Sequence, residues 1–502
     1  MMLFYTTEFI FIFLPITLAG FWLTSRYGGQ HGALAWLAGA SIAFYGLWDP
    51  GMLLLLLASV VINFFIGRCI GAARHAKHGR LASWILGLGI VCNLAILGSF
   101  KYANFFIYNL NVLAGSEFSF IDLLFPIGIS FYTFIQIGYL IDVKNGQAGQ
   151  PPFAKYLLFA TFFPYVTAGP IVLQHEIFSQ LEKEPPRFNI DRIVIGLVFF
   201  SIGLFKKLVL ADGVAVYASA AFRVAAQGDA AISALDAWLG AFAYTLRLYF
   251  DFSGYSDMAL ALGFMFGIRL PFNFNSPLKA TSIIEFWRRW HMTMTRFFTN
   301  YIYTPVAMSM TRRSLGAGDG AWKRFAVATA YPMILTFTIA GLWHEAGWMF
   351  VVFGAIHGVA LTINHAWRQA GAPALPAPVC WALTLLVFVV SLVFFRSPSM
   401  ESAWVMLKAM FGFGNGTTFD IVPISALPKL ALLLLISLLA PNSQELMRRV
   451  DLSCDAVPES GRRWPDWLAW RPTPIWTAAG ALLLAGAISL GAAGSPFIYY
   501  QY

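Results

Sequence analysis

Charge is scarce in this 502-residue sequence. Asp, Glu, Lys and Arg together make up 11% of it, less than half of the roughly 25% usual in soluble globular proteins. Hydrophobic residues supply 59% and the mean hydropathy is +0.68. Too little polar surface exists to cover a water-soluble body, which excludes soluble-enzyme, disordered and fibrous classes. The four cysteines, Cys69, Cys92, Cys380 and Cys454, are widely spaced and form no CxxC pair, so neither a disulfide framework nor a zinc site is expected. Also missing are a Walker A lysine motif, a GxSxG elbow, a GxGxxG turn after a strand and an HExxH pair. No metal ligand set is expected. No Lys or Arg precedes the first apolar run, and Glu8 stands where a secretory signal would be basic. That pattern predicts an uncleaved first membrane helix.

Long apolar runs are what the chain has instead. A first span ends before Arg26, and further runs of about 20 residues fall near 32–48, 50–67, 82–103, 122–142, 154–172, 190–211, 233–267, 325–343, 347–365, 378–396, 427–441 and 474–494. Several contain Pro or Gly. The reading is an all-α polytopic membrane protein with about 11–13 transmembrane helices, some re-entrant or tilted. No solenoid or transporter repeat is visible, so residues 1–502 are read as one integral-membrane domain.

The net charge of +9 fits basic cytoplasmic loops, and no nucleic-acid partner is expected. Segment 68–80 carries Arg68, Arg74, Lys77 and Arg80 without an acid, which predicts a cytoplasmic loop. Counting back through three spans puts the N-terminus outside and Arg26 inside. Arg312, Arg313, Lys323 and Arg324 mark a second basic stretch. The mixed-charge segment 443–473, with Arg448, Arg449, Arg462, Arg463 and Arg471, marks a third.

The most unusual region is 245–303, which sets Arg247, Asp251, Asp257, Glu285, Arg288, Arg289 and His291 among apolar and aromatic residues. Ionisable groups at membrane depth are costly, so they pair or line a cavity. The two prolines around FNFNS interrupt helix there, and a broken segment lining a water-accessible cavity is the reading adopted. An interfacial helix with its charges at lipid headgroups is the alternative. His291 follows Trp290, and His344 follows Trp343 at the end of an apolar run. An imidazole in such a cavity is a candidate general base. His357 is near enough in sequence to reach the same cavity, although a packed helix residue is the commoner role for such a histidine.

The stretches FDFSGYSDMALALG, FNFNSP, EFWRRWHMT and AGLWHEAGW, in this order, resemble the membrane-bound O-acyltransferase family. FKYANFF at 100–106, PIGISFYTFIQIGYLIDV at 126–143, FFPYVTAGPIV at 162–172 and GLFKKLVLAD at 203–212 extend the resemblance, with the motifs spread over about residues 100–365. It is strongest to the bacterial branch, which includes the alginate O-acetylation membrane protein and the D-alanyl transfer protein of teichoic acids. The resemblance implies helices around a central tunnel or funnel in a bacterial inner membrane. It implies His344 as the catalytic histidine and His291 as its partner. Asp251, Asp257, Arg288, Arg289, Trp290, Trp343 and His357 are the candidate lining of the substrate path.

The expected reaction is transfer of an acetyl group from cytoplasmic acetyl-CoA, a donor substrate rather than a bound cofactor. The acceptor would be hydroxyls of an extracytoplasmic polysaccharide, reached directly or through a periplasmic partner protein. Two alternatives stay open at this point. One is D-alanyl transfer from a carrier protein; the other is a polymer or acyl transporter without chemistry, which intramembrane charges and broken helices suit equally well.

Overall fold

The computed structural model describes residues 3–122, 124–185, 187–227, 232–414, 416, 421–455, 464–491, 495, 497 and 498. Among these the regular structure is helical, apart from an isolated bridge between Leu270 and Ser453. Arg462 and Arg463, assigned above to a basic loop, lie outside the described residues.

The first long element, α1 (Leu14–Trp48), is two helices folded back on each other. Gly29 at φ 57° breaks it, a conformation that glycine adopts without the clash a Cβ would bring. The Trp36 indole N–H then donates to the Thr17 carbonyl at 2.9 Å across the hairpin. Arg26 therefore sits by a turn, as its charge predicts. From Asp49 the chain runs through α2 (Pro50–His75), turns at 76–78, and returns through α3 (Gly79–Leu97) and α4 (Ala103–Ala114), which are joined by the π-helical turn Gly98–Tyr102. These passes define two faces. The 26–30 and 76–78 turns lie on the first, and the 115–128 segment lies on the second.

α5 (Ile129–Asn145) goes back to the first face. The run expected as one span at 154–172 is broken instead. α6 (Phe153–Thr161) and α7 (Phe163–Val166) are separated at Phe162, whose ψ of 116° is not helical, and Pro164 lies in the first turn of α7, where its missing N–H costs no helical bond. α8 (Gln174–Leu181) follows. α9 (Ile190–Phe205) and α10 (Asp212–Ala225) are joined by the π-helical turn Lys206–Ala211. They pack on α11 (Ala234–Met265), a helix buried along nearly its whole length. The later elements are α12 (Ile283–Trp287), α13 (Met292–Phe298), α14 (Thr304–Gly316), α15 (Ala321–Phe325), α16 (Tyr331–His344) and α17 (Trp348–Gln369). α18 (Ala377–Arg396), α19 (Met400–Met410), α20 (Ala426–Leu439), α21 (Ser443–Leu446) and α22 (Pro474–Leu490) complete the described chain.

Seven helical stretches among the described residues are long and apolar enough to cross a membrane by length and composition. The sequence reading of about 11–13 crossings counts more, for physical reasons. The α1 hairpin forms a single stretch by this measure, α5 is only 17 residues long, and α11 carries Asp236, Arg247, Asp251 and Asp257. The chain is a multi-pass membrane protein. α16 and α17 form an antiparallel pair in van der Waals contact, because a Cβ on Gly341 would fall 2.1 Å from the Phe350 carbonyl oxygen and one on Gly354 2.2 Å from that of Phe337. Small residues allow such close backbone approach in membranes.

Candidate active site

His344 is the last residue of α16, and Glu345 after it is already extended. The final carbonyls of a helix have no partner within the helix. Here the 98–102 turn supplies them. Tyr102 donates its hydroxyl to the Leu342 carbonyl at 2.9 Å. The Lys101 ammonium donates to the carbonyls of Trp343 (2.8 Å) and His344 (2.7 Å) and to Ser130 Oγ (3.4 Å). The ring of Trp343 stacks on Phe134 at 5.1 Å between centroids, and the His344 ring meets Phe395 edge-on at 5.4 Å. The end of α16 is thus fixed from several sides.

His291 reaches the same place by a different route. It precedes α13 in the left-handed conformation, at φ 44° and ψ 51°, which costs a non-glycine residue roughly 1–2 kcal/mol. The neighbouring irregular strand of chain holds it there: Met292 N–H donates to the Asn273 carbonyl (2.9 Å) and Asn275 N–H to the Arg289 carbonyl (2.9 Å). Strain maintained by surrounding structure is typical of functional positions. The His291 side chain is fully buried, with Phe252 edge-on at 4.7 Å.

A hydrogen-bond chain sets the orientation of the His291 ring. Thr293 Oγ1 accepts from Ile171 N–H (3.0 Å) and donates to Asn273 Oδ1 (3.0 Å). Asn273 Nδ2 donates to Ser256 Oγ (3.2 Å) on α11. Asn273 Oδ1 therefore faces His291 Nδ1 at 3.0 Å as an acceptor. In the neutral ring this places the proton on Nδ1 and the lone pair on Nε2. The two histidine rings lie 6.4 Å apart between centroids. That spacing lets one small oxygen-bearing group come within hydrogen-bond reach, about 2.6–3.2 Å, of a nitrogen on each ring.

The structure distributes the other expected site residues unevenly. Trp343 lies beside both histidines, 6.2 Å from the His291 ring and 4.9 Å from that of His344. Trp290 packs on Phe286 and Phe388 instead. Asp251 binds Lys207 at 2.8 Å and accepts from Ile498 N–H, and Asp257 binds Lys206 at 2.8 Å. Both aspartates are thereby tied to the turn between α9 and α10. Arg289 pairs with Glu285 at 2.7 Å, and Arg288 is exposed. His357 has both ring nitrogens engaged. Its Nδ1 accepts from the Trp287 indole (3.3 Å), which is donor-only, and its Nε2 meets Ser391 Oγ at 2.8 Å. Ser391 donates its own hydroxyl to the Phe388 carbonyl, so His357 is a hydrogen-bonded core residue. Sequence reasoning missed Lys101, Tyr102, Asn273 and Thr293 as parts of the site. The stretches FKYANFF and FNFNSP held the first three, without any sign that they contact a histidine.

One cavity borders the pair, and a second opens at the opposite face. His344, Trp343, Lys101, Ser130 and Thr167 line a small one, about 50 Å³, beside the 125–131 segment at the second face. A larger one, about 610 Å³, lies at the first face between the α1 turn, α8 and the chain after α11. It is lined by Lys183, Arg192, Arg269 and Arg296 as well as by Glu176 and Asp455. Burial holds the Glu176 carboxyl above the ordinary carboxylate range, although Arg296 beside it pulls it down. Glu176, Cys454 and Asp455 approach one another closely, but Arg296 already pairs with Glu176 at 2.6 Å. Arg296 also reaches the Ile171 carbonyl, in the residue whose N–H binds Thr293. A hydrogen-bond path thus connects Arg296 in the larger cavity, through Ile171, to Thr293 of the His291 network.

The family model that matches residues 139–401 is MBOAT, the membrane-bound O-acyltransferase family. That range holds Asn273, His291 and His344 but not Lys101. The chain is 38% identical over 447 residues to the peptidoglycan O-acetyltransferase of Helicobacter pylori, covering 83% of this chain and 81% of that one. It is 35% identical to the probable alginate O-acetylase AlgI of Pseudomonas putida, with all of both chains covered. The teichoic acid D-alanyltransferase of Streptococcus thermophilus is more distant, 28% identical over 48% of this chain and 57% of its own.

Proposed function

Since this chain belongs to the membrane-bound O-acyltransferase family, we propose that it moves an acetyl group from acetyl-CoA on the cytoplasmic side to hydroxyls of an extracytoplasmic polysaccharide. The observation that carries this reading is the meeting of His291 and His344, from separate parts of the chain, with His344 bordering a cavity at the second face. Acetyl rather than D-alanyl transfer is favoured by the higher identity and coverage of the O-acetylating relatives. Family membership makes the chain an enzyme, and the transporter alternative lapses.

In this mechanism the donor enters from the first face, with its phosphates against the basic lining of the larger cavity. The acceptor hydroxyl enters from the second face beside Lys101. His344 takes the hydroxyl proton as the oxygen attacks the acyl carbon. A C–O bond forms, the C–S bond breaks, and the proton passes from His344 to the leaving thiolate. His291, oriented by Asn273, positions the hydroxyl or the thioester carbonyl between the rings. The acceptor is the polymer itself or a periplasmic partner protein that hands the acetyl group on. A bacterial inner-membrane location with the N-terminus periplasmic fits the basic segments at the first face.

The test is transfer from radiolabelled acetyl-CoA by the full chain in oriented vesicles, with donor on one side only. Label should reach an external hydroxyl acceptor when acetyl-CoA is on the first-face side. Equal transfer from either side would overturn the sided reading, and normal transfer by His344→Ala would overturn the mechanism.

A further inference from the structure

A separate cavity of about 270 Å³ opens among α12, α13, α16 and α17. Its walls are largely apolar, with Trp287, Phe298, Phe337 and Leu361 prominent. Four hydroxyl-bearing side chains, Thr295, Thr299, Tyr303 and Thr336, interrupt them. Thr295 Oγ1 and Thr336 Oγ1 are buried and have no hydrogen-bond partner among the described residues. A helical threonine ordinarily back-bonds to the carbonyl one turn earlier, and a buried hydroxyl left unpaired costs about 1–3 kcal/mol. Thr336 is only 4% exposed, so bulk water does not satisfy it. The cavity presents polar atoms for an occupant.

The rim is cationic. Arg288 supplies the charge in the lining, beside the His365 ring, and Arg368, outside the lining, lies with Arg288 within electrostatic reach of that ring. The carboxylate nearest in sequence, Glu285, is already held by Arg289 and by the Thr281 N–H. His365 lies one turn before the end of α17. α17 begins at the second face, where the Trp348 indole donates to Asn109 of α4 (2.9 Å), and so ends at the first. The cationic rim therefore falls where the headgroups of the first-face leaflet would lie. The opposite part of the lining reaches Ala340, one turn before His344, and Met294, in the first turn after His291.

We infer that this cavity seats one anionic phospholipid. Its phosphate lies against Arg288 and His365 with Arg368 nearby, the Thr295 and Thr336 hydroxyls donate to its ester carbonyls, and an acyl chain fills the apolar space. Basic pockets between membrane helices on the cytoplasmic side select anionic headgroups in this way. The bound lipid wedges the helices that carry the two histidines. The inference stands apart from the acyl-transfer reading, because lipid retention is measured without turnover.

The experiment is native mass spectrometry of the purified full chain titrated with phosphatidylglycerol or phosphatidylcholine. The wild type should retain one phosphatidylglycerol in preference to phosphatidylcholine. Arg288→Gln and Arg368→Gln should each weaken that retention about fivefold, with thermal unfolding measured alongside to show that both variants fold. Ala340→Leu, which fills the inner end, should also lower retention with the rim intact. Equal retention of both lipids would overturn the inference. Displacement of the lipid by acetyl-CoA would overturn it as well, because the cavity would then be the seat of the donor.

Discussion

Lys101 donates to the backbone carbonyl of His344 at 2.7 Å, from the opposite side of the family-matched region's boundary. An ammonium has three N–H donors, and the carbonyls of Trp343 and His344 and the Ser130 hydroxyl take all three. Lys101 is therefore a positioning residue. Lys101→Met should lower kcat about 10–100-fold with little change in KM, since small misplacements of a reacting group cost up to about 10²-fold. Lys101→Arg should recover part of the loss. Wild-type kcat in Lys101→Met would show that α16 needs no such cap.

His344→Ala should reduce acetyl transfer by about 10²–10⁴-fold, the range for loss of a general base, while the protein still inserts and solubilises normally. His291→Ala should cost less. Asn273→Ala should follow His291→Ala in direction, since Asn273 acts through that ring. Acetyl content of the acceptor, measured beside detergent-soluble yield, ranks the three variants. A fully active His291→Ala would dissolve the two-histidine site.

Asp251 and Lys207 form an ion pair in which each side chain is 1% exposed. Lys207 also pairs with Asp212 at 3.0 Å, so loss of Asp251 leaves the ammonium partly compensated and costs less than the roughly 3–5 kcal/mol of a buried pair broken outright. Asp251→Ala should lower thermal stability, and Lys207→Met in the same chain should not restore it, because Asp212 then loses its ammonium. Loss of activity in Asp251→Ala with unchanged stability would return this aspartate to the substrate path.

The basic 68–80 segment and the 115–128 segment lie on opposite faces. Cysteines introduced at Lys77 and Ser116, in a background lacking the four native ones, should label oppositely with a membrane-impermeant thiol reagent on intact cells. Ser116 should react and Lys77 should not. The reverse pattern would invert the donor and acceptor sides.

What the sequence alone determined follows from quantities that are additive along the chain. The lack of charge, the apolar runs and the basic loops established a multi-pass helical membrane protein, and the ordered motifs pointed to its family and to His291 and His344. Proximity between distant residues is not additive in that sense. Asp251, Asp257 and His357 carry the same sequence signal as the two candidate site histidines, an ionisable group in an apolar setting. Only packing separates them: Lys206 and Lys207 meet the aspartates from the turn between α9 and α10, and Trp287 and Ser391 occupy both nitrogens of His357. Likewise, nothing local marks Lys101 as the cap of a helix far along the chain, or Asn273 as the partner of His291. A buried polar group must find its partner wherever the fold brings one, so the partner's identity was decided by the tertiary structure.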